Sequence, residues 1–313
     1  MGALALESCT TSPYNTAVGY QAGDSVTTGN GHNAIFGYNS GSGLTTGPFN
    51  TALGATSLRL ETTGQYNTAV GYSALENQSG GTSNNTAVGF KAYEGVEGSS
   101  TGADNTAVGA YALQVNTTGT RLTAVGLGAL DANTTGDDNT AVGQNSQTRT
   151  TTGTANTSIG RESMDKNTTG SNNVAVGMYA LYGNTTASEN TAVGKSALET
   201  NTTGTRNTAV GRSALLSSTT SNDNTAVGAF SMDANTTGAL NTAIGRYSLS
   251  ANTTGQKNTA IGGNALLSNV SGESNTAVGY NALDANTASN NVAVGYHSLL
   301  NNTTGNVNTA VGS

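Results

Sequence analysis

Residues 194–210 read GKSALETNTTGTRNTAV, and close copies of this 17-residue unit follow one another along the chain. The pentapeptide Asn-Thr-Ala-Val-Gly, or a close variant, occurs eighteen times, and 13 of the 17 intervals between its glycines are 17 residues long. The other four intervals are 18, 18, 20 and 16 residues. Self-similarity at a short fixed period is typical of solenoids, in which each repeat stacks on its neighbours.

A unit of this length is too short for a helical hairpin, and it carries two turn signals, the marker glycine after Val and the Asn-Thr-Thr-Gly segment. We therefore predict an all-β chain that forms a parallel β-solenoid, or β-roll, of about eighteen 17-residue coils. Each coil is expected to contain a strand, a turn, a second short strand and a second turn. Residues 1–14 are predicted to be an N-terminal lead-in, and residues 15–313 one continuous repeat domain about 85 Å long.

Alternation along the Thr-Ala-Val strand places Thr and Val on one face and Ala on the other. The Val position is apolar in every copy, so we expect Thr and Val to face the core, together with the Leu four residues after the marker glycine. The predicted core columns include Val18, Val70, Val193, Leu198, Val210 and Leu215. This core is thin, and the small Ala face predicts close packing of three chains as a homotrimer.

The composition argues against several classes of function. Only 9% of the 313 residues are charged and the net charge is -7, so no basic stripe is available to bind nucleic acid. No apolar stretch is long enough for membrane insertion. The two histidines, His32 and His297, are separated by many coils, and Cys9 is the single cysteine. We therefore expect no enzyme activity, no catalytic residues, no metal site and no cofactor.

The position after the marker glycine is the most suggestive surface column. Aromatic residues fill it towards both ends of the chain, and cationic residues fill it in the middle: Tyr20, Tyr38, Tyr72, Phe90, Arg161, Lys195, Arg212, Arg246, Tyr280 and Tyr296. Exposed rings can stack on sugars and cations can meet acidic glycans, so this column is a predicted glycan-binding file. The alternative is that the rings cover the Leu column and the cations keep the chain soluble.

The phrase Asn-Thr-Ala-Val-Gly-Tyr-x-Ala-Leu at 67–75 and 275–283 resembles repeats of phage tail-fibre and related adhesin proteins. It is also similar to the Asn-Ser-Val-Ala-Ile-Gly repeats of trimeric autotransporter adhesin heads, although their period is different. The resemblance implies a homotrimeric shaft at a virion or cell surface. Such fibres often end in a chaperone domain that cleaves itself off after a Ser. Because the chain stops within a repeat at Gly312-Ser313, the resemblance implies that Ser313 is a processed terminus.

Two other functions stay open at this point. A head-to-tail extracellular filament without a receptor is the first, because the ends carry no capping unit. An ice-binding solenoid is the second, suggested by the regular Thr columns, but adjacent threonines such as Thr202-Thr203 point to opposite faces of a strand. Asn201 and Asn252 lie in glycosylation sequons and are interpreted as corner residues. A structural fibre or adhesin shaft that attaches to a host glycan is the preferred prediction.

Overall fold

A computed structural model describes residues 2–313. Contacts within the chain divide it into two compact units, Met1–Asn156 and Thr157–Ser313, and each unit is described by itself. The described residues contain no helix and eighteen strands of three residues each. The first unit holds β1 to β8, which are Thr16–Val18, Ala34–Phe36, Thr51–Leu53, Thr68–Val70, Thr86–Val88, Thr106–Val108, Thr123–Val125 and Thr140–Val142. The second unit holds β9 to β18, which are Thr157–Ile159, Val174–Val176, Thr191–Val193, Thr208–Val210, Thr225–Val227, Thr242–Ile244, Thr259–Ile261, Thr276–Val278, Val292–Val294 and Thr309–Val311.

Within each unit, consecutive strands pair in parallel. Thr191 lies opposite Thr208, and Val193 lies opposite Val210. The same register holds across the 20-residue interval between β5 and β6 and the 16-residue interval between β16 and β17, so the irregular coils change length outside their strands. These pairings confirm the predicted all-β parallel β-solenoid.

The strands face the opposite way from the prediction. The central Ala side chains, such as Ala192 and Ala209, are fully buried, and the flanking Thr and Val side chains point outward. The prediction that Val18, Val70, Val193 and Val210 are core residues was therefore wrong; these four are exposed or half-buried. The other predicted core residues, Leu198 and Leu215, are fully buried, as expected.

The narrow interior explains why Ala rather than Val points inward. Inside one coil of the second unit, strand residue Ala192 faces Ala197 and Leu198, and all three have no exposed surface. A flat coil that already contains a Leu and a second Ala leaves room for only a methyl group at the strand. Because the Ala file lines the interior, it offers no surface to a neighbouring chain, and the packing argument for a trimer is lost.

The segment after the marker glycine forms turns instead of the predicted second strand. In the coil that begins at Gly194, Ser196 and Leu198 have φ values of 58° and 51°, and Ala197 between them does not have a positive φ. The Ser196 N–H donates to Met178 O of the preceding coil, whereas the Leu198 N–H donates to Ala214 O of the following coil. Stacked turns therefore satisfy the main chain as a strand ladder would.

Two files of buried asparagines fill the polar half of the interior. In the strand-side file the Asn224 N–H donates to Asn207 Oδ1 at 3.1 Å. In the corner file the Asn252 side-chain amide donates to Asn235 Oδ1 at 2.8 Å and to Gly255 O at 3.1 Å. Each file is thus a hydrogen-bonded asparagine ladder. Asn201 and Asn252 are fully buried, so these sequons are inaccessible in the folded chain.

Glu61 and Tyr93 supply polar groups at corners of the first unit that lack the asparagine. The carboxylate of buried Glu61 accepts main-chain N–H groups from its own coil and the next, including Gly64 N at 2.7 Å and Thr82 N at 3.1 Å. In the 20-residue coil, the buried Tyr93 hydroxyl donates to Gly102 O and accepts from the side chain of Asn116. Burial raises the pKa of Tyr93 to about 12. This corner therefore accepts hydrogen-bonding groups other than asparagine, and in the coils that contain Val26 and Leu44 at this position it accepts buried apolar side chains.

Residues 2–14, which the sequence analysis sets apart as a lead-in, already follow the path of a coil. Gly2 lies against Gly19, as Gly19 lies against Gly37. The Leu6 N–H donates to Ala22 O, and the Leu6 side chain packs on the apolar cluster that contains Ala22 and Ile35.

Candidate functional site

One regular surface within each unit is the outward side of the strands. We call it the Thr–Val face and define it as the first and third side chains of each strand, β1–β8 in the first unit and β9–β18 in the second. The first residue is Thr except at Ala34, Val174 and Val292, and the third is Val, Ile, Leu or Phe. None of these positions carries a charged side chain. The apolar third residues are well exposed; Val18 is 45% exposed and Leu53 48%.

The hydroxyl groups of strand and corner threonines are engaged differently. At the corner, Thr202 Oγ1 donates to Thr219 O at 2.9 Å, and Thr236 Oγ1 donates to Thr253 O at 3.0 Å. Within residues 2–313, no hydrogen bond joins the hydroxyl of strand residues Thr208 or Thr225 to another protein atom. The strand threonines therefore present their hydroxyl groups to solvent.

The predicted glycan-binding file is broken into short stacks in the first unit. Tyr20 stacks on Tyr38 with ring centroids 5.6 Å apart, and Tyr72 stacks on Phe90 at 5.4 Å. Ala55 occupies the intervening position and separates the two stacks. In each stack one ring face lies against its neighbour, so a sugar can reach only the outer faces and the ring edges.

The same file in the second unit combines cations with rings. The Arg161 guanidinium lies over the Tyr179 ring, 5.2 Å from its centroid, and Arg212 lies over Phe230 at the same distance. Both rings come from the second position after a marker glycine, a column that the sequence analysis did not single out. Further along, Tyr280 stacks on Tyr296 at 5.8 Å. These contacts align cations and rings along one edge of the coils.

One cluster of the second unit contains two arginines and two aromatic rings in contact. Phe230 stacks on Tyr247 with centroids 5.3 Å apart, and Arg246 lies 4.6 Å from the centre of the Tyr247 ring. Together with Arg212 over Phe230, these four residues form the cation–aromatic cluster of the second unit. Among the described residues, no carboxylate forms an ion pair with Lys195, Arg212 or Arg246, whereas Arg161 lies 3.7 Å from Glu162. The cluster therefore carries positive charge that is free to meet an anion.

The first unit also contains an aromatic ladder that the sequence analysis missed. Tyr14, His32, Phe49 and Tyr66 stack with successive centroid distances of 4.8, 5.0 and 5.2 Å. Tyr14 is 77% exposed. All four residues directly precede the Asn of the repeated pentapeptide. The presence of four rings in one column of successive repeats could therefore have predicted the ladder.

A shallow cleft of about 430 Å³ interrupts the corner surface of the second unit. The Lys166 ammonium lies 4.7 Å from the centre of the Tyr182 ring, and Gly183 lies beside that ring. Glu199 and Thr200 line the cleft on the following coil. A ring, a cation and a carboxylate around an open space provide groups that could contact a single sugar residue.

The described residues contain no group of His, Cys, Asp or Glu side chains arranged to hold a metal ion. Nor do they contain a helix of the length and apolar character needed to cross a membrane. Comparison of the sequence with known protein families and with characterised proteins finds no match.

Proposed function

We propose that this protein is a non-enzymatic structural shaft that presents a rigid, repetitive surface for attachment at a virion or cell surface. The proposal is supported by the in-register stacking of similar coils within each unit, which holds outward side chains in fixed files. It is also consistent with the resemblance of the repeats to those of tail fibres and adhesins. A solenoid is suited to this role because its contacts are made between neighbouring coils.

The observation that carries the attachment role is the cation–aromatic cluster of Arg212, Phe230, Arg246 and Tyr247. Its guanidinium groups are ordered over ring faces without carboxylate partners, although the chain as a whole has a net charge of -7. Guanidinium groups bind carboxylates and sulfates of acidic sugars, and the ring edges provide apolar contact. An acidic polysaccharide is therefore the proposed ligand class, and the cleft beside Tyr182 is a second contact point.

Binding of the full chain to heparin and to a neutral dextran tests this role. We expect heparin binding that weakens with salt, little binding to dextran, and loss of most heparin binding in the double variant Arg212→Gln/Arg246→Gln. Arg121→Gln/Arg206→Gln is the matched control, because these arginines are already paired with Asp138 and Asp223. Equal loss in both double variants, or no heparin binding by the unmodified chain, would contradict the proposal.

A homotrimer and a head-to-tail filament stay predictions, since the buried Ala file no longer supplies a contact for the trimer. Light scattering with negative-stain imaging of the purified chain separates them. A particle of three chains supports the trimeric fibre, and growth with concentration supports the filament. A particle of one chain would mean that the shaft acts as a single solenoid.

A further inference from the structure

We infer that the Thr–Val face binds ice. The first reason is the distribution of charge among the outward columns. The column after the marker glycine accepts Tyr, Arg, Lys, Gln, Met and Gly, and the column before the repeated Asn accepts Asp, Glu, Arg, Lys and Tyr. Eighteen strands in the same chain admit no charged residue at either position of the Thr–Val face. In other proteins, exposed strand positions accept Lys and Glu. Neither solubility nor strand propensity therefore requires a Thr–Val face without charged residues.

The second reason is the regular geometry of the face within each unit. In-register pairing places Thr191 beside Thr208 and Thr225, at the interstrand spacing of about 4.8 Å. Across a strand, Thr208 and Val210 are two residues apart, which is about 6.6 Å. The coils of irregular length leave this lattice undisturbed because their extra or missing residues lie outside the strands. A two-dimensional array of constant spacing is what an ordered water layer requires, since ice is itself periodic.

The third reason is the chemistry of the side chains. The Thr hydroxyl groups of the face are not bonded to protein, so they are available to water molecules of a lattice. Methyl groups of Thr and Val lie beside them and cannot compete for those water molecules. Adjacent corner threonines such as Thr202-Thr203 cannot both face an ice plane. Thr208 and Val210 are two residues apart and share one face.

A second copy of the chain is the other candidate occupant, and the composition of the face argues against it. A stable protein interface is enriched in aromatic residues. Among the described residues, Phe36 is the one aromatic side chain on the Thr–Val face. A regular row of Thr and Val is therefore better matched to ice than to protein.

Thermal hysteresis and the shape of ice crystals, measured with the full chain, test this inference. With the unmodified chain we expect a gap between the melting and freezing temperatures of ice, and faceted crystals. The triple variant Thr208→Lys/Thr225→Lys/Thr242→Lys should lose most of the gap, because three charged side chains interrupt the face. The matched control is Thr203→Lys/Thr220→Lys/Thr237→Lys, which places the same change on exposed corner threonines of neighbouring coils. Circular dichroism establishes that both variants are folded.

Retention of the gap by the control and its loss in the face variant supports ice binding. Absence of a gap in the folded, unmodified chain overturns it, as does an equal loss in both variants. Light scattering tests whether the face binds a second copy instead. If the unmodified chain is a multimer and the face variant is a monomer, the face binds a second copy and the inference is wrong.

Discussion

The main-chain N–H of Asn207 donates a hydrogen bond to Oδ1 of Asn190, one coil earlier, at 3.0 Å. Asn207 in turn accepts from the N–H of Asn224 through its own Oδ1, and its side-chain amide donates to Ser221 O at 2.8 Å. The side chain is fully buried and its amide and carbonyl groups are both used. A polar file of this kind binds coil to coil, which explains how a solenoid with an apolar core of Ala and Leu can be stable.

Replacing Asn207 with Asp should strongly destabilise the fold. The carboxylate cannot donate to Ser221 O, and it lies against Asn190 Oδ1, so a buried charge faces two acceptors. We expect a loss of about 3 kcal/mol, measured as the shift of the denaturant midpoint. Asn301→Asp, at an exposed position, is the control and should change the midpoint little. Comparable shifts in both variants would mean that the ladder contributes nothing specific.

Leu240 occupies a left-handed conformation, with φ of 61°, although it is 53% exposed. A side chain in this region costs about 1–2 kcal/mol, and glycine avoids that cost while losing about 0.5–1 kcal/mol in backbone entropy. Leu240→Gly should therefore stabilise the chain by about 0.5–1 kcal/mol in chemical denaturation. Leu240→Ala keeps the Cβ atom and should give no gain. A stabilisation of the same size in both variants would attribute the effect to lost apolar exposure instead.

Two aspartates of the first unit should give pH dependences of opposite sign. Burial raises the pKa of Asp131, so its charge opposes folding above that pKa, and the penalty disappears as the pH falls through it. A bidentate hydrogen bond from Arg121 lowers the pKa of Asp138, whose stabilisation is present above the unfolded value of about 3.9 and is lost as the pH falls through the folded pKa. Asp131→Asn should therefore stabilise the chain at pH 7, and Asp138→Asn should destabilise it.

Denaturant midpoints of both variants at pH 7 and pH 3 test the predicted stabilisation by Asp131→Asn and destabilisation by Asp138→Asn. The differences from the unmodified chain should shrink at pH 3, where the carboxylates take up protons. High salt should weaken the Asp138 effect, because that ion pair is exposed. Stabilisation by Asp138→Asn at pH 7 would contradict the assignment.

Periodicity predicted the coil, the parallel stacking and the buried Leu198 because each depends on the spacing of residue types along the chain. Alternation also placed Thr208 and Val210 on one face, but it cannot say which face is inward. That choice depends on the width of the interior opposite Leu198, and bulk was the wrong guide because a small side chain such as that of Ala209 is needed there. The predicted second strand was wrong because that segment forms turns with left-handed residues such as Ser196, which strand propensity does not predict.

The surface columns were predictable to a similar extent. The column after the marker glycine identified Arg212 and Arg246 as exposed cations. Their ring partners, Phe230 and Tyr247, come from the next column, and the left-handed backbone there brings both columns to one edge. Contacts between columns require the shape of the turn, which the repeat period alone does not contain.

The orientation of the strands underlies the Thr–Val face, the loss of the Ala contact between chains and the inference of ice binding. Thiol labelling of single-cysteine variants tests it most directly, with Cys9 replaced by Ser in each. Position 209 should accept a cysteine, because Ser158, which is of similar size, occupies the same inward column in another coil. We predict rapid labelling of Thr208→Cys and Val210→Cys in the folded chain, and labelling of Ala209→Cys only after denaturation. Rapid labelling of Ala209→Cys with protection of the other two positions would contradict the account.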